Sequence, residues 1–288
     1  MPPKTVLITG CGPRGIGRAL ATEFQLRGHR VIASGLNESL LAPLKDMGMD
    51  TVPMDVTLES SIENAASQVA RLADGKLDIL INNAGVMHIM PFADTSLADV
   101  RRVFNVNVLG VVAVTQAFLP LLMADVAAST DDGAQRSIVA NLGSVNEVFC
   151  PPFFSAYNAS KAAVEALGRT MRRELAPLGV KVVTLKTGSV RSDLFANATG
   201  PLRLPDGSLY EPVRGWVEER GMLDRGGFVE ADEYARKVVD ELLRPRVRSV
   251  IWAGGLALLA WFLSWLGWED MMDGEMIKGN GLIKIKRS

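Results

Sequence analysis

Tyr157 and Lys161 stand four residues apart in the stretch Tyr157-Asn158-Ala159-Ser160-Lys161. On a helix that spacing puts both side chains on one face, with the ammonium beside the phenol. A free phenol ionises near pH 10 and is a poor acid or base at neutral pH; a neighbouring cation favours the phenolate and makes proton transfer usable. Alone, such a pair is most often a solvated helix face. Ser144 changes that, because it follows a strand-like run and its hydroxyl could bind a substrate oxygen. Asn107 is a fourth polar candidate in an apolar stretch. A buried Asn needs partners, and a cap or a structural water would satisfy it too, with Asn105 close by.

A second constellation speaks of a nucleotide. Thr9-Gly10-Cys11-Gly12-Pro13-Arg14-Gly15-Ile16-Gly17 falls where a first strand must turn into a first helix. Glycines there let the backbone approach a pyrophosphate, and the helix N-terminus supplies amide donors. Tight turns also use glycine, so the position carries the argument. Asp55 suits a carboxylate that accepts from an adenine amino group, although an Asp at a strand end also serves as a turn residue. Asn82-Asn83-Ala84-Gly85 ends a strand at the carboxyl edge, where ligands bind in open α/β sheets. An NAD-specific fold of this kind needs a carboxylate after its second strand, and Ser34-Gly35-Leu36-Asn37 offers none before Glu38. Arg14 is placed to reach a 2′-phosphate, or is a solvated loop arginine. NADPH/NADP+ is the expected cofactor.

These residues need a scaffold. Strand-like runs at Thr5 to Thr9, Arg30 to Ser34, Thr51 to Met54, Leu77 to Asn82, Ser137 to Leu142, Val180 to Lys186 and Arg248 to Ala253 alternate with helical patterns such as Gly17 to Arg27, Ser60 to Leu72, Asp99 to Met123 and Ser155 to Leu175. Right-handed crossovers then give a doubly wound, Rossmann-like α/β fold with a parallel seven-stranded sheet. Ser96 and Asp99 resemble a helix capping box. The chain of 288 residues is 48% apolar with a net charge of -1, enough for one large core and without the basic face that nucleic acid requires. Cys11 and Cys150 are too few for a disulfide framework, and His29 and His88 too few for a metal cluster. The expectation is an intracellular protein with no metal and no signal segment.

In order and spacing, the glycine turn, Asp55, Asn82-Asn83-Ala84-Gly85, Asn107, Ser144, Tyr157-x-x-x-Lys161 and Thr187-Gly188-Ser189-Val190-Arg191-Ser192 resemble the short-chain dehydrogenase/reductase superfamily, from about Lys4 to Ala253. The resemblance implies a general acid at Tyr157, a Lys161 that lowers its pKa and holds the nicotinamide ribose, a carbonyl-orienting Ser144, and an Asn107 that anchors a proton-relay water. It implies cofactor contacts from Gly10, Arg14, Gly15, Ile16, Gly17, Asp55, Asn83, Ala84, Gly85, Val190 and Ser192, and homo-oligomers. Two departures stand out. Four residues, Cys11 to Arg14, separate the first and second family glycines where three are usual, and Thr187-Gly188 replaces the usual Pro-Gly.

The departures and the apolar tail are similar to the NADPH-dependent 1-acyldihydroxyacetone-phosphate reductase-like branch. That implies reduction of a ketone on a hydrophobic or lipid-like small molecule, whether of acyldihydroxyacetone-phosphate type or a polyketide or terpenoid intermediate. A steroid or retinol-type dehydrogenase working oxidatively, and a non-enzymatic dinucleotide-binding scaffold, are the alternatives. Ser144, Asn146, Phe149, Phe153 and Phe154 are the pocket candidates, the phenylalanines reading equally as core. A lid is expected at about 189–228, within a domain spanning 1–253; its arginines (191, 203, 214, 220, 225) are countered by Asp193, Asp206, Glu211, Glu218, Glu219 and Asp224. Residues 254–288 form an apolar helix and basic tail. Charge-free Val250 to Trp268 imitates a membrane span, but its first residues belong to a strand, which leaves 256–268. Those thirteen residues reach about 20 Å, against a hydrocarbon core of ~30 Å. Trp261, Trp265 and Trp268, with Lys284, Lys286 and Arg287, favour a peripheral position on an intracellular membrane such as endoplasmic reticulum or lipid droplet. Packing on its own domain or on a second subunit is the other reading.

Overall fold

Val6, Leu7 and Ile8 are fully buried, so the first strand is hidden on both faces, as a parallel sheet covered by helices on each side requires. The computed structural model describes residues 2–124, 137–192, 194, 202–225, 227–268 and 270–285. Asp193, Lys286 and Arg287, singled out above, lie outside the described residues, as does part of the expected lid.

The strands are β1 (Thr5–Ile8), β2 (Arg30–Gly35), β3 (Asp50–Pro53), β4 (Ile79–Asn82), β5 (Ser137–Leu142), β6 (Val180–Thr187), β7 (Val190–Arg191), β8 (Val229–Glu230) and β9 (Val250–Ala253). The helices are α1 (Ile16–Leu26), α2 (Glu38–Asp46), α3 (Glu59–Leu72), α4 (Leu97–Phe104), α5 (Gly110–Leu122), α6 (Asn146–Phe149), α7 (Ser155–Leu175), α8 (Arg214–Glu218), α9 (Ala231–Leu242), α10 (Ala257–Leu266) and α11 (Asp273–Gly279). Seven strands form one parallel sheet in the order β3-β2-β1-β4-β5-β6-β9; β7 and β8 pair separately. The order reverses between β1 and β4, and a crevice opens there at the carboxyl ends.

Side-chain alternation splits the core into two layers. Val6, Ile8, Val31, Ile79 and Val183 pack with Leu20, Phe24 and Val238 from α1 and α9. Leu7, Ile32, Leu80, Val139 and Val182 face the other way, onto Ile62, Val69, Val114 and Phe118 of α3 and α5. A one-residue slip would exchange these sets, which fixes the register.

The single helix expected over Asp99 to Met123 is interrupted. It starts at Leu97, where the Ser96 hydroxyl accepts from the Asp99 N–H at 3.0 Å, and passes through a π-helical turn at Asn105–Leu109 before α5. The smooth apolar pattern gives no sign of that turn. By length and apolarity Leu97–Leu122 would pass for a membrane span, yet it contributes Val114, Phe118 and Leu122 to the core.

The chain crosses itself tightly after β6. Gly188 N–H donates to Ala253 O at 2.8 Å, and Ser189 and Gly255 exchange a pair of hydrogen bonds. A Cβ on Gly188 would sit 1.9 Å from Gly255 O; no other residue fits. The tail helix is shorter than expected, ending at Leu266, and α11 follows it.

Candidate active site

The glycine turn and the end of β4 are laced together. Thr9 Oγ1 accepts from the Asn83 and Ala84 N–H groups, each at 3.0 Å, and Asn83 Nδ2 donates to Thr9 O at 2.7 Å and Gly10 O at 3.0 Å. Gly10 has φ +72°, and a Cβ there would approach Ala84 Cα to 2.7 Å. A Cβ on Gly17 would meet Asn83 Nδ2 at 2.5 Å. Gly12 and Gly15 have no such neighbours: side chains there would project into a cleft that their absence keeps open. Helix α1 starts after Gly15 without a side-chain cap, so its first amides are available to an anion. Asp55, Val56, Ala84, Gly85 and Val86 form the opposite wall, and Tyr157 and Lys161 lie at one end. Asp55 accepts from the Thr57 N–H and hydroxyl at 2.9 and 2.7 Å through Oδ1. An elongated nucleotide with a charged middle fits these walls.

Arg14 is placed differently from expectation. It flanks an outer cleft with Arg18, Arg191, Glu230 and Asp232, on the far side of the loop from Leu36. Val190 also departs, because it lines the cavity beyond Tyr157 and not the cleft, whereas Ser192 faces both.

Tyr157 is buried, and its phenol shares a hydrogen bond with the Ser144 hydroxyl. Ser144 Oγ in turn accepts from the Asn146 N–H at 3.1 Å. Lys161 Nζ donates to Leu142 O at 2.7 Å and lies 5.6 Å from the Tyr157 ring centroid. Burial lowers the Lys161 ammonium from 10.5 to about 8, because no carboxylate compensates the desolvated charge. Burial likewise pushes the phenol up to about 12, against the smaller effect of Ser144. The expected lowering by Lys161 is not found: burial sets the direction, and Ser144 is the group that opposes it.

Asn107 lies in the π-helical turn, behind these groups. Its Oδ1 accepts from the Val86 N–H at 2.8 Å, and its Nδ2 donates to Val86 O at 2.9 Å and to Ser160 Oγ at 3.0 Å. Both donors are used, so the side chain fastens the segment after β4 to α7. Ser160 Oγ completes the chain by donating to the Tyr157 carbonyl at 2.7 Å.

A second cavity, of about 340 Å³, adjoins the first and shares Ile16, Leu142, Tyr157, Ser192 and Leu194 with it. Ser144, Asn146, Phe149 and Phe154 line it. Phe153 does not: it turns away, at φ +74°, and packs edge-on to Tyr210 at 6.4 Å between centroids. Successive residues on this irregular turn diverge, which sequence spacing could not reveal. Also missed were Met87, Met222, Phe228, Leu259, Met272 and Met276, contributed by segments far apart in sequence. A buried cluster was missed as well. Lys186 on β6 pairs with Glu147 on α6 and lies 3.5 Å from Glu165 on α7, holding the short helix that carries Asn146 and Phe149. Desolvation raises the Glu147 carboxyl above its ordinary value, with Lys186 opposing.

A nucleotide cleft joined to an apolar cavity at a tyrosine, with lysine and serine beside it, defines a nicotinamide-dependent oxidoreductase of CH–OH and C=O groups. The short chain dehydrogenase family matches residues 4–201, and the chain belongs to that family. It is 39% identical to a short-chain dehydrogenase/reductase of Pestalotiopsis microspora, over 99% of this chain and 96% of the relative. It is 34% identical to the NADPH-dependent 1-acyldihydroxyacetone phosphate reductase of Schizosaccharomyces pombe, over 87% of this chain and 86% of that one. The fold is also that of a short-chain dehydrogenase from Streptomyces avermitilis, with a TM-score of 0.75 at 24% identity over 100% of both chains.

Proposed function

We propose that the protein reduces an apolar ketone to a secondary alcohol with NADPH. The observation that carries this is Tyr157, which opens to both cavities with the Ser144 hydroxyl hydrogen-bonded to it. Gly12, Gly15, Ile16 and the α1 amides hold the pyrophosphate, Asp55 accepts from the adenine, and Lys161 and Ser192 hold the nicotinamide end. The bound cofactor supplies hydride. Ser144 orients the substrate oxygen, Tyr157 delivers a proton to it, and the Lys161 ammonium stabilises the phenolate that results. Burial keeps the Tyr157 phenol protonated at neutral pH, so in the reductive direction it enters the reaction carrying the proton that it delivers.

The choice of NADPH rests on the end of β2, where Gly35 and Leu36 offer no carboxylate to repel a 2′-phosphate. Arg14, one residue before Gly15 in the same loop, is the cation that this reading assigns to that phosphate. An assay of ketones and alcohols with both cofactors tests the proposal; it fails if no ketone oxidises NADPH, or if NADH serves better.

The same reading extends to location. Outward-facing Leu258, Trp261, Phe262, Trp265 and Leu266 give α10 an apolar face that the described residues leave uncovered. Ten residues span about 15 Å, half of a ~30 Å hydrocarbon core. The helix therefore lies along an intracellular membrane surface, with its tryptophans at the headgroup level. A second copy covering this face is the alternative, and vesicle flotation separates the two. Cys11 and Cys150 are both free thiols, in keeping with a reducing compartment.

A further inference from the structure

One exposed carboxylate, that of Glu275, borders the cavity beyond Tyr157. Among the described residues that line it, Glu275 alone carries a charged side chain. It stands on α11, with Met272 and Met276 beside it and Leu256 and Leu259 at the start of α10 nearby. Lys278, one turn further along α11, makes no ion pair with it, and no hydrogen-bond donor among the described residues holds its carboxylate. No lysine or arginine lines the cavity among the described residues. Apart from the uncharged polar groups of Ser144, Asn146, Thr187, Ser189, Ser192 and Asn280, the rest of the wall is apolar and pliable. Met87, Met222 and the α11 pair Met272 and Met276 come from three separate segments, and flexible thioethers adapt to irregular shapes.

This arrangement treats charged and neutral substrates differently. A phosphate or carboxylate brought into the cavity would shed water without gaining a cation. It would also meet the Glu275 carboxylate, and like-charge juxtaposition is a common device for refusing a ligand. An uncharged ketone suffers neither penalty.

We propose that Glu275 is a specificity-determining residue, and that the enzyme accepts uncharged, bulky apolar ketones while refusing phosphorylated and carboxylated ones. The proposal rests on the cavity being the ketone site, as argued above. It separates the two substrate classes left open there: polyketide- or terpenoid-like neutral ketones are accepted, and acyl-phosphate ketones are not.

A matched pair of probes tests it: decan-2-one, and 9-oxodecanoate, the same chain ending in a carboxylate. With NADPH, the wild-type kcat/KM favours the neutral ketone by about tenfold or more, mainly through KM, since tenfold corresponds to about 1.4 kcal/mol and close like charges reach that range. Glu275→Gln narrows the ratio, and Glu275→Lys narrows it further. About 1 M sodium chloride also narrows it in the wild type, where screening limits charge interactions to about 3 Å. A wild-type ratio near one, or a ratio unaltered in both variants, overturns the assignment. Calorimetric titration of both ketones into the NADP+-loaded protein measures the same discrimination without turnover. If neither ketone oxidises NADPH, the reductase reading fails, while the calorimetric affinities still decide whether Glu275 excludes anions.

Discussion

Replacing Lys161 by methionine is expected to make the protein inactive and, without cofactor, more stable. The ammonium is 5% exposed, and its pKa falls from 10.5 to about 8 through burial. At 1.36 kcal/mol per pKa unit, that drop corresponds to about 3 kcal/mol of destabilisation whenever the group is charged. Methionine fills the space without the charge but leaves the Leu142 carbonyl, now accepting at 2.7 Å, without its donor, a loss of about 1 kcal/mol. The net gain near pH 7 is about 2 kcal/mol, or roughly 4 °C or more in Tm for a chain of this size. The sign changes with pH in a defined way. Because the folded-state pKa lies below the unfolded one, the wild type carries the full cost below about pH 8 and sheds it as pH rises towards 10.5. The advantage of Lys161→Met therefore shrinks over that window. Ketone reduction by the wild type should decline as pH rises through about 8, when the ammonium that supports the Tyr157 phenolate is lost. Thermal unfolding of the cofactor-free proteins at several pH values, with NADPH oxidation in parallel, is the assay. A Tm lower than wild type at pH 7, or an advantage that persists undiminished above pH 10, refutes the reasoning.

Other outcomes follow from the same geometry. Tyr157→Phe keeps the ring and removes the proton donor, so kcat should fall by at least ~100-fold while NADPH affinity measured by fluorescence stays within a few-fold; near-normal turnover would eliminate Tyr157 as the acid. The kcat/KM ratio of NADPH to NADH should exceed one and drop in Arg14→Ala, and an unchanged ratio would leave Arg14 in the outer cleft where it rests without cofactor. Placing glutamate at both Trp261 and Trp265, exposed by 46% and 77%, should abolish flotation with zwitterionic vesicles. Wild type that never floats, but loses a dimer on the same substitution, would identify a second copy as the cover.

Much of this fold is legible in the sequence because its strands are buried on both faces and read as short β-branched runs. Glycines at 10 and 17 could be placed for the same kind of reason: their roles depend on a strand-to-helix turn that any doubly wound sheet must make. Tyr157, Lys161 and Ser144 converge as their spacing suggests, since one helix and one strand end carry them. What sequence patterns hid depends on contacts between distant segments. The π-helical turn at Asn107 leaves the apolar rhythm unbroken, Phe153 diverges from Phe154 through a positive φ, and Lys186 and Glu147 look like ordinary surface residues until they meet in the interior. Glu275 belongs with them, because nothing near it in the chain announces that α11 folds back over the cavity.

The crossing at Gly188 constrains how such an enzyme can diverge. Gly188 lies against Gly254 and Gly255 with no room for a Cβ, yet the two sides are separated by 65 residues that include part of the cavity wall. A recombinant that takes its tail from a relative, in the hope of importing that relative's substrate preference, inherits only half of the crossing. Such an exchange succeeds when the junction lies upstream of Gly254 and the recipient keeps glycine at 188; with any larger residue there, the imported tail docks out of place and the transplanted specificity is lost with it.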